Sequence, residues 1–408
     1  MAGAELTARV VTEDELDEWQ RVVSTAFGGF PEPGHVELNR RMLPLDRTVA
    51  VFSGEDLVGT AGSYGFDMTV PGGDTIPVGG VTAVGVLGTH RRRGALRALM
   101  QYELDATVVR SETMSILNAS ESSIYGRFGY GLAQQYQTLR VRADRAAFDP
   151  EAPTRSLRLV PQDRAVDVVR PLFDAYRATR AGEVSRNEPY WEAVLGSVES
   201  WPGGGKVFVV VAEPDGADPG GYVIYDLQDQ GEGIMKRMVV RELIAATPET
   251  EAALWRYCVE LDLVGVVEMT ARPLDDPIRW RLTEPRQLEV VRQSDYLWVR
   301  MLDVPAVLSA RAYGTDGELV IEVDDAFRPD VAGRYLLHGS PKGGECERTA
   351  ASADLDMTVA DLGSLYLGGV SATILARAGR INELRSGALE LADELFGCSL
   401  APHCSTRF

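Results

Sequence analysis

Up to about residue 145, runs of apolar residues alternate with polar breaks in a pattern that predicts strands on either side of one long helix. An amphipathic helix is predicted over Glu13–Phe27, and a second over Arg93–Val109, where apolar residues recur every three or four positions. The predicted strands are Thr48–Phe52, Leu57–Asp67, Val78–Leu87, Met114–Asn118 and a strand pair within Tyr130–Val141. A strand–helix–strand unit therefore lies at the centre of this part of the chain.

After a predicted linker at Ala146–Thr154, the same order of elements returns. The predicted helices are Ala165–Thr179, Tyr190–Ser197 and Glu249–Leu261, and the predicted strands are Val207–Ala212, Tyr222–Leu227, Gly233–Ile244 and Val264–Met269. The repetition predicts a duplicated domain.

From about Tyr296 the pattern changes and predicts a smaller α+β domain. A helix at Val304–Ala310 and strands around Gly317–Val323 and Gly333–His338 are followed by a segment at Thr358–Leu362 and by helices up to Phe396. We therefore expect an α+β protein with three domains, at residues 1–147, 148–295 and 296–408.

Composition narrows the possible partners and compartments. The chain has 41 Lys and Arg against 60 Asp and Glu, a net charge of −19 that disfavours nucleic acid and favours cationic partners. The acidic amino terminus lacks the features of a signal peptide, and no apolar run is long enough to span a membrane, so we expect a cytoplasmic location. Cys398, His403 and Cys404 match no zinc-ligand spacing, so no metal site is predicted.

The most informative segment is the corner between strand Val78–Leu87 and the helix after it. Arg91, Arg92, Arg93 and Gly94 stand where the helix begins. A helix amino terminus presents unpaired N–H groups and a partial positive charge, so this corner predicts a site for a polyanion such as a diphosphate. The alternative is a solvated basic turn before an ordinary surface helix. The matching corner of the second domain reads Ala-Ala-Thr-Pro at residues 245–248 and lacks these basic residues.

This corner resembles the coenzyme A signature of GNAT acetyltransferases, V-x-V followed by R-x-x-G-x-G/A, with Val84, Val86, Arg91 and Gly94 at the matching positions. Leu96 and Gly88 depart from the usual pattern. The runs Thr89–Gly94 and Leu96–Met100, the block Ser120–Gly131 (SESSIYGRFGYG) and the terminal Phe408 are similar to the Eis family of aminoglycoside acetyltransferases. The resemblance implies two tandem GNAT-like domains, the second without a coenzyme site, and then a sterol-carrier-like domain.

The same resemblance implies roles for individual residues. Tyr125 would be the general acid, the α-carboxylate of Phe408 the general base, and the Val84 backbone N–H a donor to the thioester oxygen. The residues implied to bind acetyl-CoA are Val84, Gly85, Val86, Arg91, Arg92, Arg93, Gly94, Ala95, Leu96, Arg97, Ser120 and Glu121. From the residues alone, other roles are possible: Tyr125 as a packed core residue, Phe408 as the end of a frayed chain terminus, and Glu121 as a partner in a surface salt bridge.

The acceptor implied by the resemblance is a cationic, aminoglycoside-like polyamine, acetylated by direct transfer in a ternary complex within a homohexamer. One departure bears on this, because Ser24, Thr25 and Ala26 stand where the family has an acidic residue. Two other hypotheses about the function stay open. One is transfer to a protein lysine or a small metabolite amine, and the other is a non-catalytic protein that binds an apolar ligand and keeps a vestigial coenzyme site.

Overall fold

A computed structural model describes residues 5–196, 205–229 and 234–408, so the predicted element ends at Ser197 and Gly233 lie outside the described residues. The chain forms two compact units. The first contains the described part of Met1–Gln134 together with Tyr296–Cys398 and Thr406–Phe408, and the second contains the described part of Gln135–Asp295 and Ser399–Ser405.

The main sheet of the first unit has the strand order β1-β2-β3-β4-β5-β12. Its strands are β1 (Leu6–Val10), β2 (Thr48–Ser53), β3 (Asp56–Thr69), β4 (Thr75–Val86), β5 (Met114–Asn118) and β12 (Leu288–Met301). Of β12, the residues from Tyr296 onward belong to this unit. Its helices are α1 (Leu16–Ala26), α2 (Pro33–Met42) and α3 (Ala95–Val109). Neighbouring strands are antiparallel except β4 and β5, which α3 connects and which run parallel.

The helix α3 is held by its apolar face. Met100 and Leu104 are fully buried and pack with Val81 of β4 and Leu117 of β5 in one core cluster. This is the face that the helical spacing predicts, and its burial stabilises the unit by about 1.5–3 kcal/mol per large side chain. The amino-terminal end of α3 is thereby fixed beside the end of β4.

The remainder of the first unit is a five-stranded sheet in the order β15-β14-β13-β16-β17, with four short helices. The strands are β13 (Gly317–Asp324), β14 (Gly333–Ser340), β15 (Gly343–Arg348), β16 (Leu355–Thr358) and β17 (Ile381–Glu383). The helices are α8 (Val304–Ser309), α9 (Val359–Leu365), α10 (Ala372–Arg377) and α11 (Ala388–Phe396). The α+β composition agrees with the prediction for this region.

The second unit repeats the pattern of the first, in the strand order β6-β11-β10-β9-β8-β7. Its strands are β6 (Gly131–Val141), β7 (Leu157–Val160), β8 (Phe208–Ala212), β9 (Gly221–Asp229), β10 (Lys236–Ala245) and β11 (Val264–Arg272). Of β6, the residues from Gln135 onward belong to this unit. Its helices are α4 (Ala165–Arg177), α5 (Glu188–Val194), α6 (Pro248–Glu260) and α7 (Ile278–Arg281). As in the first unit, one parallel strand pair, β10 and β11, is joined by a helix.

One prediction in this region is wrong. Tyr130–Val141 forms the single strand β6 rather than a strand pair. The segment contains no glycine or proline after Gly131, so nothing in it supports a turn.

Near the carboxy terminus, His403 is buried within the second unit and bonded through both ring nitrogens. Nε2 lies 2.7 Å from the Ala271 carbonyl oxygen and Nδ1 lies 2.6 Å from the Tyr176 hydroxyl. A carbonyl only accepts, so Nε2 carries the proton and Nδ1 accepts from the Tyr176 phenol. Burial, reinforced by the positive charge of Arg272, lowers the pKa of His403 to about 3.

We expect this histidine to make the second unit sensitive to mild acid. In the unfolded chain His403 takes up a proton below its ordinary pKa of about 6.5, whereas in the folded protein it stays neutral down to about pH 3. Stability is therefore lost as pH falls, by about 2 kcal/mol between pH 6.5 and 5. Denaturant unfolding of the wild type and of His403→Gln measures this, because the variant lacks the titrating group. Equal pH slopes for the two proteins would contradict the assignment.

Candidate active site

The strand β4 carries a bulge close to its carboxyl end. Thr60 of β3 lies opposite Gly85, and Gly62 lies opposite Thr82, so two residues of β4, Ala83 and Val84, face one residue of β3. Ala83 has a φ of 52°, and its carbonyl accepts a hydrogen bond of 2.9 Å from the Thr60 hydroxyl. A bulge changes the direction of the local peptide groups. It therefore re-aims the backbone at Val84, the residue whose N–H the sequence analysis singles out.

Beyond this point β4 and β5 separate. The parallel pairing runs from Val78 opposite Met114 to Val81 opposite Leu117 and is not continued by a described residue. The last residues of β4 therefore have a strand partner in β3 on one side only. An open strand edge of this kind pairs with an extended, amide-containing ligand.

The corner between β4 and α3 is built from unusual backbone conformations. Arg92 has a φ of 63° and Gly94 a φ of 95°, and α3 begins at Ala95. Glycine adopts a positive φ without strain, whereas arginine does so at a cost of about 1–2 kcal/mol. Gly94 is the residue before the helix, and as a glycine it has no side chain with which to cap the first turn. The first N–H groups of α3 are thus left for a ligand.

A groove of about 690 Å³ lies at this corner. It brings together most of the residues predicted for the site, namely Val84, Gly85, Val86, Arg91, Arg92, Gly94, Ala95, Leu96, Arg97, Ser120, Glu121 and Tyr125. Two predicted residues, Arg93 and Phe408, are not among its lining residues. Arg91, Arg92 and Arg97 give this part of the groove a positive charge. The Arg97 guanidinium also lies 4.8 Å from the centre of the Phe327 ring, which restricts its position.

Tyr125 lies in a short 3₁₀ turn, Tyr125–Phe128, that follows β5. Its ring packs edge-to-face against Tyr130 with 5.9 Å between ring centres, and it lines the groove. Burial, together with the negative charge of Glu121, raises the pKa of Tyr125 to about 12. The phenol therefore keeps its proton over the whole working range of an enzyme and is available as a proton donor.

The terminal residue Phe408 is half-buried and fixed at both its ring and its backbone. The ring packs edge-on against Phe66 and Tyr64, at 5.1 Å and 6.5 Å between ring centres. The backbone N–H donates to Oδ1 of Asn118 over 3.3 Å. A Cβ atom at Gly80 would lie 2.4 Å from the Phe66 ring and 3.2 Å from the Phe408 ring, so glycine leaves the space that both rings need.

The corresponding corner of the second unit is closed by the protein itself. Helix α6 begins at Pro248, and Thr247 caps it by accepting from the Thr250 N–H at 3.3 Å. Both threonine hydroxyls donate to the Asp218 carboxylate, at 2.5 Å and 2.7 Å. The carboxylate thus places a negative charge beside the first turn of α6, which disfavours an anionic ligand there.

Several lining residues were missed by the sequence analysis: Ala26, Phe27, His90, Ser123, Ile124, Arg127 and Phe128. His90 and the four from Ser123 to Phe128 lie within the segments that carry the resemblance, so a signal for them was present. Ala26 ends α1 and belongs to the segment 24–26 that the resemblance relates to the acceptor, and Phe27 follows it at the start of the next loop.

Among the described residues, no group of three or more His, Cys, Asp or Glu side chains is placed to hold a metal ion. All four cysteines carry free thiols. Within the same residues, every helix is too short or too polar to cross a lipid bilayer.

Comparison with known families assigns three consecutive regions of the chain. Residues 7–133 and 182–301 each match an acetyltransferase (GNAT) domain family, and residues 304–405 match a sterol carrier protein domain family. The expected fold, two tandem GNAT domains followed by a sterol-carrier-like domain, is therefore confirmed.

Relatives match over almost the whole length. An uncharacterized N-acetyltransferase of Streptomyces coelicolor is 38% identical over 405 residues, 97% of each chain. The N-acetyltransferase Eis of Mycobacterium tuberculosis is 32% identical over 410 residues, 97% of this chain and 98% of the relative. The crystal structure of Eis1 from Mycobacterium abscessus has a TM-score of 0.88 at 35% identity and covers 99% of this chain and 100% of that one. The chain therefore belongs to the Eis family of GNAT-type N-acetyltransferases.

Proposed function

We propose that this N-acetyltransferase moves the acetyl group of acetyl-CoA directly to an amine of a cationic small molecule, with both substrates bound at once. The observation that carries the proposal is the contrast between the two corners. In the first unit a glycine, which has no capping side chain, precedes α3 beside a groove of about 690 Å³, whereas in the second unit Thr247 caps the corresponding helix and bonds the Asp218 carboxylate. This contrast supports assigning coenzyme A to the first unit.

The residues of the groove fit the chemistry of the coenzyme. Arg91, Arg92 and the first N–H groups of α3 would hold its diphosphate, because guanidinium groups and helix termini both favour phosphate. The open edge of β4 would pair with the amide groups of the pantetheine arm. Acetyl-CoA supplies an activated acetyl thioester, and the Val84 N–H would donate to the thioester oxygen as negative charge develops there.

Two proton transfers complete the proposed reaction. A bond forms between the acceptor nitrogen and the acetyl carbon as the bond from that carbon to sulfur breaks. Tyr125 would donate its proton to the departing sulfur, since it is buried, protonated and beside the groove. The α-carboxylate of Phe408 would accept the proton that the nitrogen loses, directly or through one water. Solvent then returns a proton to Tyr125, and the Phe408 carboxyl group releases to solvent the proton that it accepted.

The net charge of the protein supports a cationic acceptor, whereas the groove wall beside α1 carries no charge to bind one. The net charge of −19 attracts cations over long range. The groove wall contributed by α1 and its loop is Ala26 and Phe27, with no carboxylate at this position. We therefore propose that an aminoglycoside-like polyamine is held mainly by charges outside this wall, and that fewer of its amines are acetylated than an acidic wall would allow.

A thiol-release assay with acetyl-CoA and a panel of amines tests the proposal. The panel contains aminoglycosides, linear polyamines, aromatic monoamines and a lysine peptide. We expect turnover with the polycationic members and intersecting initial-velocity lines, which indicate a ternary complex. Turnover confined to the lysine peptide or the monoamines would show that the acceptor is not a polyamine. Parallel initial-velocity lines would contradict direct transfer. No turnover with any amine would favour the hypothesis of a non-catalytic protein that binds an apolar ligand.

Three further expectations stay predictions. The domain boundaries near residues 147 and 295 are testable by expressing the segments and measuring their unfolding. A homohexamer is supported by family resemblance and by exposed apolar side chains such as Phe30 and Trp280, and sedimentation velocity measures it. A cytoplasmic location is testable by cell fractionation.

A further inference from the structure

The side-chain amide of Asn118 lies between the carboxy terminus and the end of β5. Its Oδ1 accepts from the Phe408 N–H at 3.3 Å, and its Nδ2 donates to the Tyr296 carbonyl at 3.1 Å. The Tyr296 phenol in turn donates to the Thr406 carbonyl at 3.1 Å. Asn118 and Tyr296 therefore bind backbone groups of Phe408 and Thr406, the residues on either side of Arg407.

These bonds allow only one orientation of the amide. If the Asn118 side chain were turned over, its NH₂ would face the Phe408 N–H and its oxygen would face the Tyr296 carbonyl. The backbone that carries it is equally fixed, because Asn118 pairs with Leu297 of β12 and the four preceding residues of β5 are buried. Two and three residues further along, Ser120 and Glu121 line the groove. Asn118 thus joins a buried strand to the chain end, at a position close in sequence to the groove lining.

The consequence concerns the terminal carboxylate. The Phe408 ring is held by Phe66 and Tyr64, and its N–H is held by Asn118. With both the ring and the N–H fixed, rotation about the Cα–C bond is the only torsion left to the carboxylate. A chain end without such bonds is ordinarily mobile.

We propose that Asn118 is a positioning residue for acetyl transfer, which holds Phe408 so that its carboxylate stands where it accepts the proton of the acceptor amine. This inference rests on the proposed function. Asn118 touches neither substrate in the proposal and acts only through Phe408. Its loss should therefore lower kcat and leave the affinity for coenzyme A unchanged.

A double-mutant cycle tests the proposal. The four proteins are the wild type, Asn118→Ala, a chain lacking Phe408, and the chain with both changes. We expect Asn118→Ala to lower kcat about tenfold or more in the full-length chain. In the chain that lacks Phe408 it should have almost no further effect, because residues that act as a unit are not additive. The dissociation constant for coenzyme A, measured by calorimetry, should change less than twofold.

Controls separate positioning from folding. Asn118→Ser keeps a small polar group and serves as a second variant if the alanine protein is unstable, and Asn382→Ala removes a surface amide that bonds Asp356. The Asn382 variant should match the wild type. Equal losses from Asn118→Ala with and without Phe408, an unchanged kcat, or a weakened affinity for coenzyme A would overturn the inference alone. A wild type inactive with every amine would overturn the proposed function as well.

Discussion

Replacing Tyr125 by phenylalanine should lower kcat for acetyl transfer by about 10²-fold or more, the usual effect of removing a general acid. The phenol lines the groove, and its burial beside Glu121 keeps it protonated. Without it the sulfur leaves as an unprotonated thiolate. The affinity for coenzyme A should change little, because the ring and its packing against Tyr130 remain. Thiol release and calorimetry measure the two quantities.

Tyr130→Phe is the matched control for this variant. The Tyr130 hydroxyl lies 2.7 Å from the Ser115 hydroxyl in the core, and Tyr130 does not line the groove. Removing its phenol should cost about 1 kcal/mol of stability and leave kcat within a fewfold of the wild type. If Tyr125→Phe retained the wild-type kcat, or if both variants lost activity equally, the assignment of Tyr125 as the acid would be wrong.

Extending the chain by two residues after Phe408 should reduce turnover by a comparable factor, about 10²-fold. Each added residue displaces the terminal carboxylate by up to about 3.5 Å, and the Phe408 carbonyl becomes a neutral amide. The Phe408 ring and N–H keep their partners, so we expect folding and coenzyme affinity to be preserved.

The same two residues added before Met1 provide the control, and they should leave turnover unchanged. Steady-state kinetics of the two extended proteins measure the difference. A carboxy-terminally extended protein with full activity would remove the terminal carboxylate from the mechanism.

The corner of the candidate site was largely predictable from sequence. The helical spacing within 93–109 and the strand at Met114–Asn118 are both found, because continuous burial on one face leaves a clear periodic pattern. The arginines and glycine at 91–94 are local, so their proximity to the helix start needs no tertiary information. The second corner was also correctly expected to lack the basic site, although the Asp218 carboxylate that closes it was not foreseen.

Features that depend on distant contacts were not predictable. The bulge at Ala83 arises from the register with β3 and leaves no mark in the apolar pattern. Asn118 and Phe408 are 290 positions apart, and no periodicity relates them. Helix α2 was missed because its apolar positions are few, and the first half of β12 because its residues from Glu289 to Gln293 are exposed and follow no alternation.

The family resemblance added what physical chemistry alone left open. Three arginines before a helix fit a solvated turn as well as a phosphate site. The glycine before α3, which has no side chain to cap the helix, and the groove beside it favour the phosphate site. The geometry and the resemblance support the same corner by independent routes.

Calorimetric titration of the purified protein with coenzyme A measures whether this open corner of the first unit binds the diphosphate. We expect one molecule bound per chain with a dissociation constant on the order of 1–100 μM. Replacing Arg91 and Arg92 together by alanine should weaken binding at least about tenfold, with a smaller loss for Arg93→Ala, whose side chain does not line the groove. Absence of binding, or an affinity unchanged after both arginines are removed, would show that this corner does not bind the diphosphate.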